Sequence, residues 1–354
     1  MITLAKVSEG RRLPFALFLF GFAPVSAEYL IGYDTIAGDP FAMVFGLVVF
    51  APLYGAPALL IRELVRRTGR GWPSILVLGA AFGLLQAGLI DQGLFNPAYR
   101  DIPYWEAVRA PTLLAPLGTS AFMLFHFTAL HAFGSVYAPV AVAEALSGRA
   151  RERPWLRLPG LIVIVLSWLA AAGYVAVDHV LTEGWQPTPA QMIGTLVAVV
   201  LLCWLAFRLP APGTPPEPGS PASPLGVALI SLVLIAPRPV LAALSPVHPM
   251  WNSWPPTLFA VATTVLWLVI MVRWSGSPGW SPVHQLAAAA GYLFAVAGTA
   301  FLVTPLGEVD LAAKYGSNLT LLLLVAVLTG TGWSIQHRML RQDQGAPKPV
   351  ITPQ

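Results

Sequence analysis

The chain reads as an all-α, polytopic transmembrane helix bundle of about ten spans, and three observations predict it. Of 354 residues, 56% are hydrophobic and only 10% charged, against roughly 25% charged in a soluble domain. Mean hydropathy is +0.70. The apolar residues gather into stretches of the length that crosses a bilayer, about 20 residues at 1.5 Å of rise each. The basic residues then alternate from loop to loop, as membrane topology demands. So few charges cannot cover a water-facing surface, which excludes a soluble enzyme, a disordered chain and a nucleic-acid-binding domain despite the net charge of +4.

The spans follow in order. The first, 13–33, is apolar apart from Glu28, and 41–62 runs into the basic run Arg62, Arg66, Arg67 and Arg70. The third, 73–93, ends in Gln86 and Asp91 before an Asn96-Pro97 turn. The fourth, 113–140, carries His126 and His131, with a break expected near Gly134, Ser135 and Pro139. Spans 158–178 and 189–208 precede Leu209–Pro224, whose seven prolines make an extended linker. Span 225–245 holds Arg238 between two prolines, and 254–273, 281–304 and 317–336 complete the ten.

This order predicts a six-span region over 1–208, a linker over 209–224, a four-span region over 225–340 and a disordered tail over 341–354. Loops 65–73 and 272–282 resemble one another, so spans one to four are weighed as a parallel repeat of spans seven to ten.

With the N-terminus inside, the cytoplasmic side holds Lys6, Arg11, Arg12, Arg62, Arg66, Arg67, Arg70, Arg149, Arg151, Arg153, Arg157, Arg208, Arg273, Arg338, Arg341 and Lys348. Only Arg100, Arg109 and Lys314 fall outside, so both termini are expected in the cytoplasm. Tyr29, Tyr33, Tyr99, Tyr104, Trp105, Trp185, Trp251 and Trp254 would form the outer aromatic belt. Arginine far outnumbers lysine, and Ala, Gly and Pro are abundant. That composition suggests a bacterial protein of the plasma (inner) membrane. The single cysteine, Cys203, lies in an apolar run and supplies no disulfide or thiolate site.

Ionisable groups in a bilayer are costly and mark function. Counting rise along each helix puts Glu28 about 22 Å and Arg238 about 20 Å from the inner boundary. Equal depth permits an ion pair between them; alternatively Glu28 meets the outer headgroups while Arg238 snorkels. Gln86 lies in the outer half of its span and Asp91 near the interface, where it is either a site residue or a solvated helix end. His126 and His131 stand roughly 140° apart on an ideal helix, poor geometry for one metal. Glu28, Arg238, Gln86, Asp91 and His126 are therefore the candidates for a polar pocket in the outer leaflet. No cofactor or metal site is expected. The lipid bilayer is the one partner composition requires, beside a small ligand or another membrane protein.

The Gln86–Asn96 helix end, followed by Phe122-x-x-x-His126, resembles the CAAX-protease and bacteriocin-processing family of glutamate-dependent intramembrane proteases. There, paired glutamates and an FxxxH motif on successive helices activate water. Phe122 and His126 match FxxxH, Gln86 and Ala87 stand where the glutamates would be, and Asp91 falls at the arginine position. An amide cannot take a proton from water. The resemblance therefore implies a scaffold without the protease chemistry. The expected function is a non-catalytic membrane protein whose pocket takes a partner or small ligand. The alternatives are a small-solute transporter and a hydrolase using Asp91 and His126.

Overall fold

The computed structural model describes residues 12–209 and 220–345, most of them helical. The long helices are α1 (Leu13–Ile31), α2 (Pro40–Arg67), α3 (Trp72–Ile90), α4 (Ala121–Leu146), α5 (Leu158–Glu183), α6 (Pro189–Arg208), α7 (Pro224–Leu244) and α8 (Trp254–Ser275). They are completed by α9 (Pro282–Thr299) and α10 (Leu311–Gly345). Among the described residues nine of these are long and apolar enough to cross a membrane. The exception, α9, has 18 residues rich in alanine and is buried along most of its length. At 1.5 Å per residue that is still about 27 Å, and it corresponds to the ninth span, 281–304, of the sequence reading.

Burial sorts the helices into a centre and a lipid face. In α4, 89% of the apolar window is buried, against 17% in α5 and 11% in α6. Leu166, Leu169, Val197 and Val200 accordingly present bare apolar surface, which only hydrocarbon can cover. One core cluster joins Phe22 of α1, Tyr137 of α4, Trp267 of α8 and Tyr292 of α9. The regions before and after the proline-rich linker thus share a core.

Several boundaries differ from the sequence reading. Helix α4 starts at Ala121 rather than 113, because β1 (Leu113–Leu114) pairs antiparallel with β2 (Thr119–Ser120) in a short hairpin. The Ser120 side chain then accepts from the Met123 N–H and caps the helix. Helix α10 runs through 341–345 of the expected tail, since no proline follows until Pro347. Residues 346–354, like 1–11 and 210–219 of the linker, lie outside the described residues. The packing also departs from the proposed repeat. Helix α9 packs chiefly on α7, whereas its counterpart α3 packs on α6 and α4 rather than on α1.

The end of α2, which runs past the expected boundary at 62 to Arg67, meets the end of α4 and the loop at 151–153 in an arginine-rich network. Arg62 donates to Glu63 at 2.7 Å, to Glu144 at 3.0 Å and to the Arg151 and Arg153 carbonyls at 2.6 and 2.9 Å. Its guanidinium lies 3.4 Å from the centre of the Trp155 ring. Arg66 donates to Glu144 at 2.6 Å, and Gln336 of α10 ties to Ala145 of α4 at 2.7 Å. Arg62 and Glu63 have 0% and 1% side-chain exposure, so this network closes that end.

Candidate functional site

At the opposite end the helices become irregular. Helix α1 gives way to a 3-10 turn at Tyr29–Ile31, with Glu28 at the junction. Helix α2 widens into a π turn at Ala51–Gly55 that contains Pro52, α3 does so at Gln86–Ile90, and α4 at His131–Tyr137. In α7 the helix is interrupted at Ala236, just before Pro237 and Arg238. Proline cannot donate to the helix ladder, which accounts for Pro52 and Pro237. Single π turns are frequent at functional sites.

These irregular segments surround a cavity of about 720 Å³. Its wall includes Glu28, Gln86, Asp91, His126 and Arg238, so the structure brings all five sequence-derived residues to one place. The mouth is exposed at Asp101, Asp178, Thr182 and Thr304. Deeper groups are shut from solvent: Gln86 is 0%, Arg238 2%, His131 3% and Glu28 6% exposed.

Each polar group has a definite environment. The Glu28 carboxylate accepts from the Tyr33 hydroxyl at 2.5 Å. Arg238 Nη1 lies 3.3 Å from His126 Nδ1. An arginine can only donate, so His126 Nδ1 is the acceptor and its proton sits on Nε2. Arg238 Nε and Nη2, and both amide atoms of Gln86, make no well-formed hydrogen bond among the described residues, although Gln86 lies beside Asp91 and the Arg238 guanidinium lies 5.9 Å from the centre of the Tyr292 ring. Just past the end of α3, Asp91 accepts from the Gly93 N–H at 3.1 Å. Burial pushes its carboxyl up to about 7, and the nearby Glu28 acts in the same direction. His131 pairs with Ser135 of its own helix at 2.9 Å and stacks on Tyr54.

The expected ion pair is not made, nor is the contact that the hydrolase alternative requires. No ion pair joins Glu28 to Arg238 among the described residues: Tyr33, one turn beyond the break in α1, takes the carboxylate, while Arg238 turns to His126. Nor does Asp91 meet His126, so the two do not form a hydrolytic pair; Asp91 is held by a backbone amide and His126 by the guanidinium. Tyr33, Tyr54, Tyr99, His131 and His179 also line the cavity wall, although none is among the five pocket candidates. Tyr33 and Tyr99 are read from sequence as part of the interface belt. A signal existed for His131, which falls at the expected break in α4.

No curated protein and no solved structure matches this chain. One family match spans residues 17–339, nearly the whole bundle. That family is not the CAAX-protease and bacteriocin-processing family. The chain belongs to an uncharacterized membrane protein family.

Proposed function

We propose that this chain is a non-catalytic multi-pass membrane protein that takes a small ligand into the cavity from the non-cytoplasmic side. The observation that carries this is the set of unpartnered polar atoms on Gln86 and Arg238, buried in the wall of one cavity. Buried polar groups are nearly always hydrogen-bonded, so these await water or a ligand. The volume lies within the roughly 300–1,000 Å³ of small-molecule sites. The amide at Gln86 and the separation of Asp91 from His126 support a non-catalytic reading. The positive-inside tendency of arginine supports a cytoplasmic placement of the arginine-rich end and a mouth that faces outward. Arginine-heavy composition supports a bacterial plasma membrane. The FxxxH likeness supports descent from a protease-like scaffold that has lost its carboxylates.

The test uses one thiol in the cavity. In a Cys203→Ser background, Thr299→Cys would be labelled in intact cells with a membrane-impermeant maleimide. Labelling from outside, slowed by a small-molecule extract of the same cells, is the expected result. A thiol that is not reached, or whose rate ignores the extract, would overturn the reading.

Transport is the second reading, favoured by the buried ion network that closes the arginine-rich end beneath an open cavity. Discontinuous helices around a site with one end closed fit one state of alternating access. Loosening the network with Glu144→Gln should then let a reagent reach the introduced thiol from the cytoplasmic side of inside-out vesicles. An unchanged cytoplasmic rate counts against transport.

A further inference from the structure

We infer that the ligand is a zwitterion with an apolar body, its anionic group on Arg238 and His126 and its ammonium on Glu28 and Asp91. This rests on the cavity being a binding site and goes further by naming the ligand's chemical class.

The anionic half follows from Arg238. Its guanidinium is always charged, it is 2% exposed, and no acid lies within ion-pair distance among the described residues. A buried cation whose neighbours are the neutral Tyr292 and His126 rather than an acid is poorly compensated, so an incoming anion is strongly favoured. The two unpartnered nitrogens, Nε and Nη2, are the adjacent donors of one edge of the planar group. Their spacing matches two oxygens of a carboxylate or phosphate. Because His126 accepts from Arg238 through Nδ1, its Nε2–H is left as a further donor.

The cationic half follows from the rest of the wall. Asp34, Asp101, Asp178 and Glu183 line the mouth against Arg100 alone. That excess repels a simple anion and draws in a cation. Inside, Glu28 and Asp91 offer carboxyl oxygens, with Tyr33 on the same wall and its hydroxyl donated to Glu28. Between them, Leu53, Phe122, Leu130 and Val296 line the cavity with apolar surface. A ligand of drug size fits this volume. Two sources offer that chemistry: a short apolar peptide from the outer solution, or an aminophospholipid headgroup with the start of its chains.

The experiment takes the purified full chain with Cys203→Ser and Thr299→Cys in phosphatidylglycerol nanodiscs and follows maleimide labelling. Trialanine and trileucine are added free, N-acetylated or C-amidated; separate discs contain phosphatidylethanolamine. A peptide ligand predicts slowing by the free peptides, with each capped form weaker by about tenfold or more, the size of one lost charge-assisted contact. A lipid ligand predicts slowing in the phosphatidylethanolamine discs without any peptide. In either case Arg238→Gln should abolish protection and Arg238→Lys keep part of it. An unprotected labelling rate equal to that of the parent shows that the variant's cavity is intact. Capped peptides as protective as free ones, protection that survives Arg238→Gln, or no protection from either source would overturn the zwitterion assignment. The binding reading itself falls only if the cell extract also fails to protect.

Discussion

Gln86 and Arg238 hold polar atoms where a packed bundle would place hydrocarbon, and the arrangement has a testable cost. With neither amide atom of Gln86 in a well-formed hydrogen bond, Gln86→Leu removes desolvated groups and gives up only the contact with neighbouring Asp91. Its thermal stability in detergent should be unchanged or higher by about 1 kcal/mol, while ligand protection is lost. A clear fall in stability would mean that Gln86 is structural. Asp91 gives a pH test. Its folded carboxyl is raised from the ordinary 3.8 to about 7, so the folded state binds the extra proton. Its stabilising contribution is present in full below about pH 4 and disappears as pH rises through 7. Asp91→Asn should flatten part of that slope in unfolding curves between pH 4 and 8. At this scale the sequence was informative about charge and silent about direction. Depth counting set Glu28 and Arg238 level with each other, but depth says nothing of which way a side chain turns. The tyrosines escaped notice because a neutral phenol in a bilayer carries no penalty large enough to flag it.

Two close helix contacts and one ion network make the elements fit. A Cβ on Gly291 of α9 would sit 2.5 Å from the Ala228 carbonyl oxygen of α7, and one on Gly55 of α2 would sit 2.0 Å from the Phe20 carbonyl oxygen of α1. Both neighbours are backbone and cannot step aside. Gly291→Ala and Gly55→Ala should each cost about 3 kcal/mol in thermal unfolding. Gly298→Ala, with nothing within 4 Å, should be neutral or stabilising. Equal effects at the three positions would contradict this packing. Glu144 accepts from both Arg62 and Arg66; Glu144→Gln should cost about 3–5 kcal/mol, as breaking a buried pair does. Helix existence was legible because a run of about 20 apolar residues has few alternatives. Helix ends were less so. Hydropathy does not distinguish the residues of the hairpin at 113–120 from the start of α4. It also ignores the polar residues with which α10 runs past 340.

Across the whole molecule, the cavity lies at one end and the arginine network at the other, with α4 and α9 between them. The alternation of basic loops predicts two chemically distinct ends, and Arg62, Arg66 and Arg67 meet the loop at 151–153 at the end away from the cavity. Sequence gave no sign that the regions on either side of the linker share a core, because contacts such as Tyr137 with Trp267 join residues far apart in the chain. Reporter fusions at the two termini should both read out in the cytoplasm; opposite readings would remove the outward orientation of the mouth. The most direct measurement is the reactivity of the Thr299→Cys thiol toward an impermeant maleimide in right-side-out and inside-out vesicles, with and without the cell extract. Fast labelling from the outer face only, slowed by the extract, is the predicted result. Labelling from the cytoplasmic face alone, or an outer rate indifferent to the extract, would contradict an outward-facing binding cavity.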